Sequence, residues 1–144
     1  MWRSIAAVVA GYLVMALWVM ITLSLAWVLL GAEFAFHEGT FGVTAGWMVL
    51  NLLMGVIGAL LGGWVAALIG RSWGPVKVLV AVVLVLGVLS AVLQRDKPEP
   101  PPELEVTTFE AAAYAQQPAW YPWLITAIGA GGTVLGARFR LRPE

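Results

Sequence analysis

Hydrophobic positions run along this chain in four long stretches, uncharged except for Lys77 near the start of the third and separated by polar ones, with neither the strict alternation of a half-buried strand nor a narrow amphipathic stripe. The stretches cover about 5–30, 43–70, 75–93 and 119–137. A helix needs about 20 consecutive apolar residues to cross a bilayer. Each stretch satisfies that, so the pattern predicts an all-α fold: a four-transmembrane-helix bundle forming one integral membrane domain over residues 1–144. The second stretch, Val43 to Gly70, is the most distinctive. It carries no charge, one amide (Asn51) and a ladder of glycines along its second half.

The first stretch resembles a secretory leader only at first glance. A leader's apolar region is about 7–15 residues long and precedes small residues at the cleavage site. Ile5 to Leu30 is longer, and Phe34 and Phe36 crowd the region where cleavage would fall, so a retained span is expected. Pro75 opens the third span, where a first-turn proline is tolerated because its missing N–H would be unpaired anyway. Lys77 nearby can snorkel to the interface. The polar segment 94–118 starts with the extended spacer RDKPEPPPE. Thr107 with Glu110 then reads as a capping box, which predicts a short surface helix ended by Pro118.

Composition removes alternatives. The chain has 144 residues, of which 61% are hydrophobic and only 11% charged, with mean hydropathy +0.90. About 25% charged residues is normal for a soluble domain, so this surface could not face water. No cysteine is present, which excludes disulfides and thiolate metal sites. A net charge of zero gives no global field for recruiting nucleic acid.

The charges are segregated. With the N-terminus in the cytoplasm, Arg3, Arg71, Lys77, Arg138, Arg140 and Arg142 fall inside, and only Arg95 and Lys97 fall outside. An excess of Lys and Arg marks the cytoplasmic side, so both termini are expected there. Trp27, Trp47, Trp120 and Trp123 then lie at outer helix ends and Trp2 and Trp73 at inner ends, where interfacial rings belong.

Helices in lipid associate by close backbone approach, so small residues mark contact faces. Gly55, Gly58, Gly62 and Ala66 recur at helical spacing in the second span, and Gly129, Gly132 and Gly136 in the fourth. Both spans run in the same direction. One reading packs these ladders within a single bundle; the sharper one makes one of them an oligomer face. LGGWVAALIGR and AGGTVLGARFR, near the ends of spans two and four, suggest a parallel repeat of two helical hairpins.

The polar membrane residues cluster in the outer half. Thr22 and Asn51 lie about eight residues in from their outer helix ends, at matching depth by the helical rise of about 1.5 Å per residue. Either they share an interhelical hydrogen bond, or Thr22, Asn51 and Thr126 line an outward-facing polar cavity. Asp, Glu, Lys, Arg and His are all missing deep within the spans, and coupled transporters, pumps and voltage sensors need such groups. The first span lacks the membrane glutamate on which small multidrug-resistance exporters depend. Glu33, His37 and Glu38 read as a solvated loop, and the methionines as core filler. No catalytic set, metal site or cofactor site is expected, so the chain reads as non-enzymatic. Arg138, Arg140 and Arg142 could attract anionic lipid headgroups at roughly 1 kcal/mol each.

Asn51-Leu52, followed by Leu61-Gly62-Gly63-Trp64-Val65-Ala66-Ala67, resembles a pattern in small uncharacterised bacterial four-helix integral membrane proteins. The resemblance covers mainly the second span. It implies a location in the bacterial cytoplasmic (inner) membrane and brings no function with it. The function expected is that of a scaffold or accessory subunit whose partners are the lipid bilayer and other membrane proteins or a homo-oligomer. The alternative is a passive channel or uncoupled small-molecule transporter.

Overall fold

A computed structural model describes residues 1–38, 40–96 and 113–141. Among them the named elements are all helices, α1 (Trp2–Ala35), α2 (Ala45–Gly70), α3 (Trp73–Leu93) and α4 (Tyr121–Arg140), with one 3-10 turn at Gln94–Asp96. Three segments are long and apolar enough to cross a membrane: α1, α2 and the stretch Trp73–Asp96. α4 is less apolar, since it carries four glycines and ends in Arg138 and Arg140. The prolines of the spacer and the capping box at Thr107 and Glu110 lie outside the described residues, while Arg95 and Asp96, which open RDKPEPPPE, belong to the 3-10 turn rather than to an extended spacer.

Local chemistry sets the helix ends. α1 is broken at Gly31 (φ 74°, ψ 174°), a conformation that essentially only glycine adopts. The long apolar helix therefore stops where the first uncharged run stops, and a single turn follows to Ala35. α2 starts at Ala45 rather than Val43 because Val43 and Thr44 are extended and paired elsewhere. The Val43 N–H donates to the Gln116 carbonyl (3.0 Å) and the Thr44 N–H to that of Ala35 (2.9 Å). Thr44 Oγ1 caps α2 by accepting from the Trp47 N–H (3.2 Å) while donating to the Phe34 carbonyl (2.5 Å). At the other end Arg71 is left-handed (φ 54°), its N–H donating to the Ala67 carbonyl. Arg3 Nε donates to the Ile69 carbonyl (2.9 Å), placing a cation on the negative end of the helix dipole.

α2 is central, packing along both α1 and α4, while α3 leans mainly on α4. Contacts fix the directions. Met48 of α2 meets Tyr121 of α4, and Ala59 meets Gly132 farther along both, so these helices are parallel. Gly58 meets Val19 and Gly62 meets Gly11, so α1 and α2 are antiparallel. Gly87 meets Thr126 and Gly129 meets Val83, so α3 and α4 are antiparallel too. The N-terminus, the α2–α3 turn and the end of α4 therefore gather at one end of the bundle, here the termini end. The α1–α2 loop and the approach to α4 gather at the other, the loop end.

Most of the interior consists of small side chains, with Leu79, Val76 and Tyr121 the larger exceptions. Ala7, Ala59, Ala66, Ala67, Thr133 and Ala137 are at most 1% exposed, whereas Leu13, Leu17, Ile21 and Leu25 along α1 are roughly half exposed. A water-soluble core buries its large apolar residues. The reverse arrangement suits helices solvated by lipid, where large side chains gain nothing by leaving the hydrocarbon and small ones let backbones touch.

Candidate binding cavity and helix seams

The second span's small residues divide between two seams. On one, Gly62 and Gly11 face each other across α1 and α2: a Cβ on Gly62 would stand 2.7 Å from the Gly11 carbonyl oxygen, and one on Gly11 would stand 2.8 Å from that of Gly62. Gly58 lies on the same seam against Trp18 and Val19, and Ala66 lies against Gly11. On the other seam a Cβ on Gly63 would collide with the Thr133 backbone, and one on Gly136 with the Leu60 backbone. Gly132 rests on Ala59. Gly129 turns instead to Val83 of α3, and Gly55 has nothing within 4 Å of its Cβ position.

Gly63, Gly11 and Gly87 were not singled out from the sequence. The double glycine at 62–63 carries a legible signal, because adjacent helical residues point about 100° apart and so allow close approach on two faces. Gly11 and Gly87 are isolated within apolar runs, and their role depends on which helices become neighbours. The two halves of the suggested repeat use matching glycines differently. Gly62 meets Gly11, whereas Gly131 has nothing within 4 Å.

The seams bring α1 against α2, and α2 against α4, into close contact in the termini half. An open groove of about 540 Å³ remains there between the starts of α1 and α3, and further space lies toward the loop end. One cavity of about 250 Å³ lies between α1, α2, the α1–α2 loop and the segment before α4. Its polar groups are Ser24, Asn51 and Gln117, and its aromatic walls are Trp27, Trp47 and Phe36. Trp27 sits edge-on to both Phe36 (5.8 Å between centroids) and Trp47 (5.9 Å), and Phe41 continues the cluster from Phe36 to Tyr114. The loop is held there by single backbone pairings of Phe36 with Val43 and Gly42 with Gln116. A second cavity of about 180 Å³ lies deeper, and its walls include Asn51, Thr126, Gly55 and Gly87. Asn51 borders both.

Asn51 and Thr126 thus share one cavity, while Thr22 lines neither. The Thr22 hydroxyl donates to its own helix, to the Trp18 carbonyl (2.7 Å) and that of Val19 (3.3 Å). This back-bonding is the usual resting place of a mid-helix threonine hydroxyl. The Asn51 amide stands instead beside Tyr121, whose hydroxyl donates to the Met48 carbonyl (2.7 Å). No family model, curated protein or solved structure matches the chain.

Glu33, expected in the loop, lies on the last turn of α1. It and the loop residues His37 and Glu38 are exposed, and among the described residues no three His, Asp or Glu side chains gather. Arg138 and Arg140 are exposed on the last turn of α4, and Arg142 lies outside the described residues. Arg95 reaches over the Trp123 ring (5.9 Å), tying the far end of α3 to the start of α4.

Proposed function

We propose that the chain is a non-enzymatic multi-pass protein of the bacterial cytoplasmic membrane. In this reading it is a scaffold or accessory subunit that packs with partner membrane proteins or with itself. The single observation that supports this best is the pair of close seams along α2: backbone meets backbone at Gly62 and Gly11, at Gly63 and Thr133, and at Gly136 and Leu60. A bundle pinned along those seams, with no charged group deep in its helices, is suited to holding a shape against neighbours rather than to moving ions or protons.

In the same reading α4 is the fourth span. Its 20 residues, at about 1.5 Å each, give about 30 Å, the thickness of a bilayer's hydrocarbon core. The termini end is cytoplasmic, by the excess of Lys and Arg there. The two antiparallel hairpins then lie in the same orientation, as a parallel repeat would. Arg138, Arg140 and Arg142 contact anionic headgroups on that side.

Gentle extraction from the native host tests the reading. A particle larger than one protomer, containing a second membrane protein or further copies, is the expected result; a solitary 15.4 kDa protomer would count against it.

A second reading, a passive channel or uncoupled transporter, draws on Asn51 standing between the two cavities with Thr126 in the deeper one. It requires solute flux in liposomes that drops when Asn51 is replaced by Leu. Flux that ignores Asn51→Leu removes it.

A further inference from the structure

The threonine hydroxyls inside the membrane helices satisfy themselves at home. Thr22, Thr126 and Thr133 each donate to the carbonyl four residues back, at 2.7, 2.7 and 2.8 Å. Among the described residues Ser24 makes no such bond; its side chain is exposed on the wall of the loop-end cavity. Gln117 likewise turns to that cavity, and Asn51 completes a set of three hydrogen-bonding groups around it. Polar groups at membrane depth are costly unless they find partners. Asn51 has Tyr121 alongside, whereas among the described residues the Ser24 hydroxyl has no such neighbour, so this wall is placed for a guest.

The walls describe the guest. None of the described lining residues is ionisable, and burying a charge without a counter-charge is prohibitive, so the guest is neutral. The serine hydroxyl and two amides carry donors as well as acceptors, and carbonyl oxygens on a guest would meet those donors. The faces and edges of Trp27, Trp47 and Phe36 favour a compact, flat or apolar-flanked head. The space of about 250 Å³ is smaller than the roughly 300–1,000 Å³ of sites that enclose a drug-sized ligand. It therefore takes a head and not a whole lipid. Met20 both lines the cavity and is 53% exposed on the lipid-facing side of α1, which gives an apolar tail a way out.

We propose that the loop-end cavity binds the uncharged, carbonyl-bearing head of a bilayer-soluble amphiphile, whose hydrocarbon tail leaves past Met20 into the lipid. Asn51 and Ser24 donate to the carbonyl oxygens, and the tryptophan pair packs on the head. This site does not depend on the scaffold reading, which concerns the outer faces of the bundle. Two sources share the chemistry: a quinone ring on an apolar tail, and the ester carbonyls of a neutral glycerolipid.

The full chain in lipid nanodiscs is titrated calorimetrically with a decyl-substituted 1,4-benzoquinone in one arm and with dioleoylglycerol in the other. Saturable binding in at least one arm is expected, and the arm that saturates names the source. Asn51→Leu should weaken it about tenfold or more, as removal of a hydrogen-bond donor from a desolvated site does. Ser24→Ala, a one-atom change at an exposed position that leaves folding intact, should weaken it by about three- to tenfold. Thr22→Val, on the same helix but outside the cavity, should change nothing. If neither probe saturates, or if Ser24→Ala and Thr22→Val bind as the unmodified chain does, the proposal is overturned. A decyl carboxylate that binds as tightly as the neutral probes would overturn it as well.

Discussion

Gly63→Leu and Gly136→Leu each prevent the bundle from assembling. In both cases the new Cβ meets backbone, the Thr133 peptide for Gly63 and the Leu60 peptide for Gly136. A flexible side chain can swing away, but a helical backbone can yield only by moving the whole helix. Overpacking a core usually costs about 1–3 kcal/mol. Here the cost belongs at or above the top of that range, because α2 and α4 must separate along the seam. Gly131→Leu is the matched control. It sits on the same helix with nothing within 4 Å of its Cβ position, and it should remain within about 0.5 kcal/mol, as surface substitutions do. Unfolding in mixed detergent micelles, followed by circular dichroism, separates the three variants. A Gly63→Leu bundle as resistant as the control would show that the seam does not hold the fold.

What could be read from the sequence, and what could not, follows from the period of each signal. Three helices with the dimensions of spans were plain from long uncharged runs, because hydrocarbon thickness demands contiguous length and nothing subtler. The break at Gly31 and the first-turn Pro75 were legible as the end of one run and the start of another. Contact partners were less legible. Gly58, Gly62 and Ala66 look like one stripe with Gly55, but the stripe serves α1, and the approach to α4 passes through Ala59, Leu60 and Gly63 one residue away. A helix with two neighbours shows two superposed stripes, and a single sequence does not say which belongs to which. Depth alone was an equally weak guide to partners. Thr22 and Asn51 lie at the same level, yet a threonine hydroxyl in a helix reaches its own carbonyls more readily than a neighbour's amide. Tyr121, at the foot of a segment that reads as polar, gave no sign of being the partner of Asn51.

Tyr121 carries the second large effect, of the opposite physical kind. The seams hold α2 and α4 in backbone contact at the termini half, and the helices leave room toward the loop end, where both cavities lie. Tyr121 stands between α4 and α2 at that end as the largest fully buried side chain among the described residues, 2% exposed. Its hydroxyl reaches the Met48 carbonyl, its ring meets Trp120 edge-on at 5.8 Å, and Asn51 lies alongside. Tyr121→Ala empties a site bounded by two helices that are pinned elsewhere, so they cannot close over the void. Truncating a buried aromatic in this setting costs about 3–5 kcal/mol. Tyr121→Phe keeps the volume and loses only the hydrogen bond, worth about 0.6 kcal/mol on average between membrane helices and about 1.7 at most. The Met48 carbonyl still has its place in the α2 ladder, so the Phe variant orphans no backbone group. The same unfolding assay should therefore rank the variants with Ala far below Phe and Phe close to the unmodified chain. If Ala and Phe fall together, the hydroxyl rather than the ring holds the helices at the loop end, and the gap is not wedged open by volume. If Ala costs less than about 1 kcal/mol, the helices do close over the void, and the two cavities bordered by Asn51 are held open by something other than this side chain.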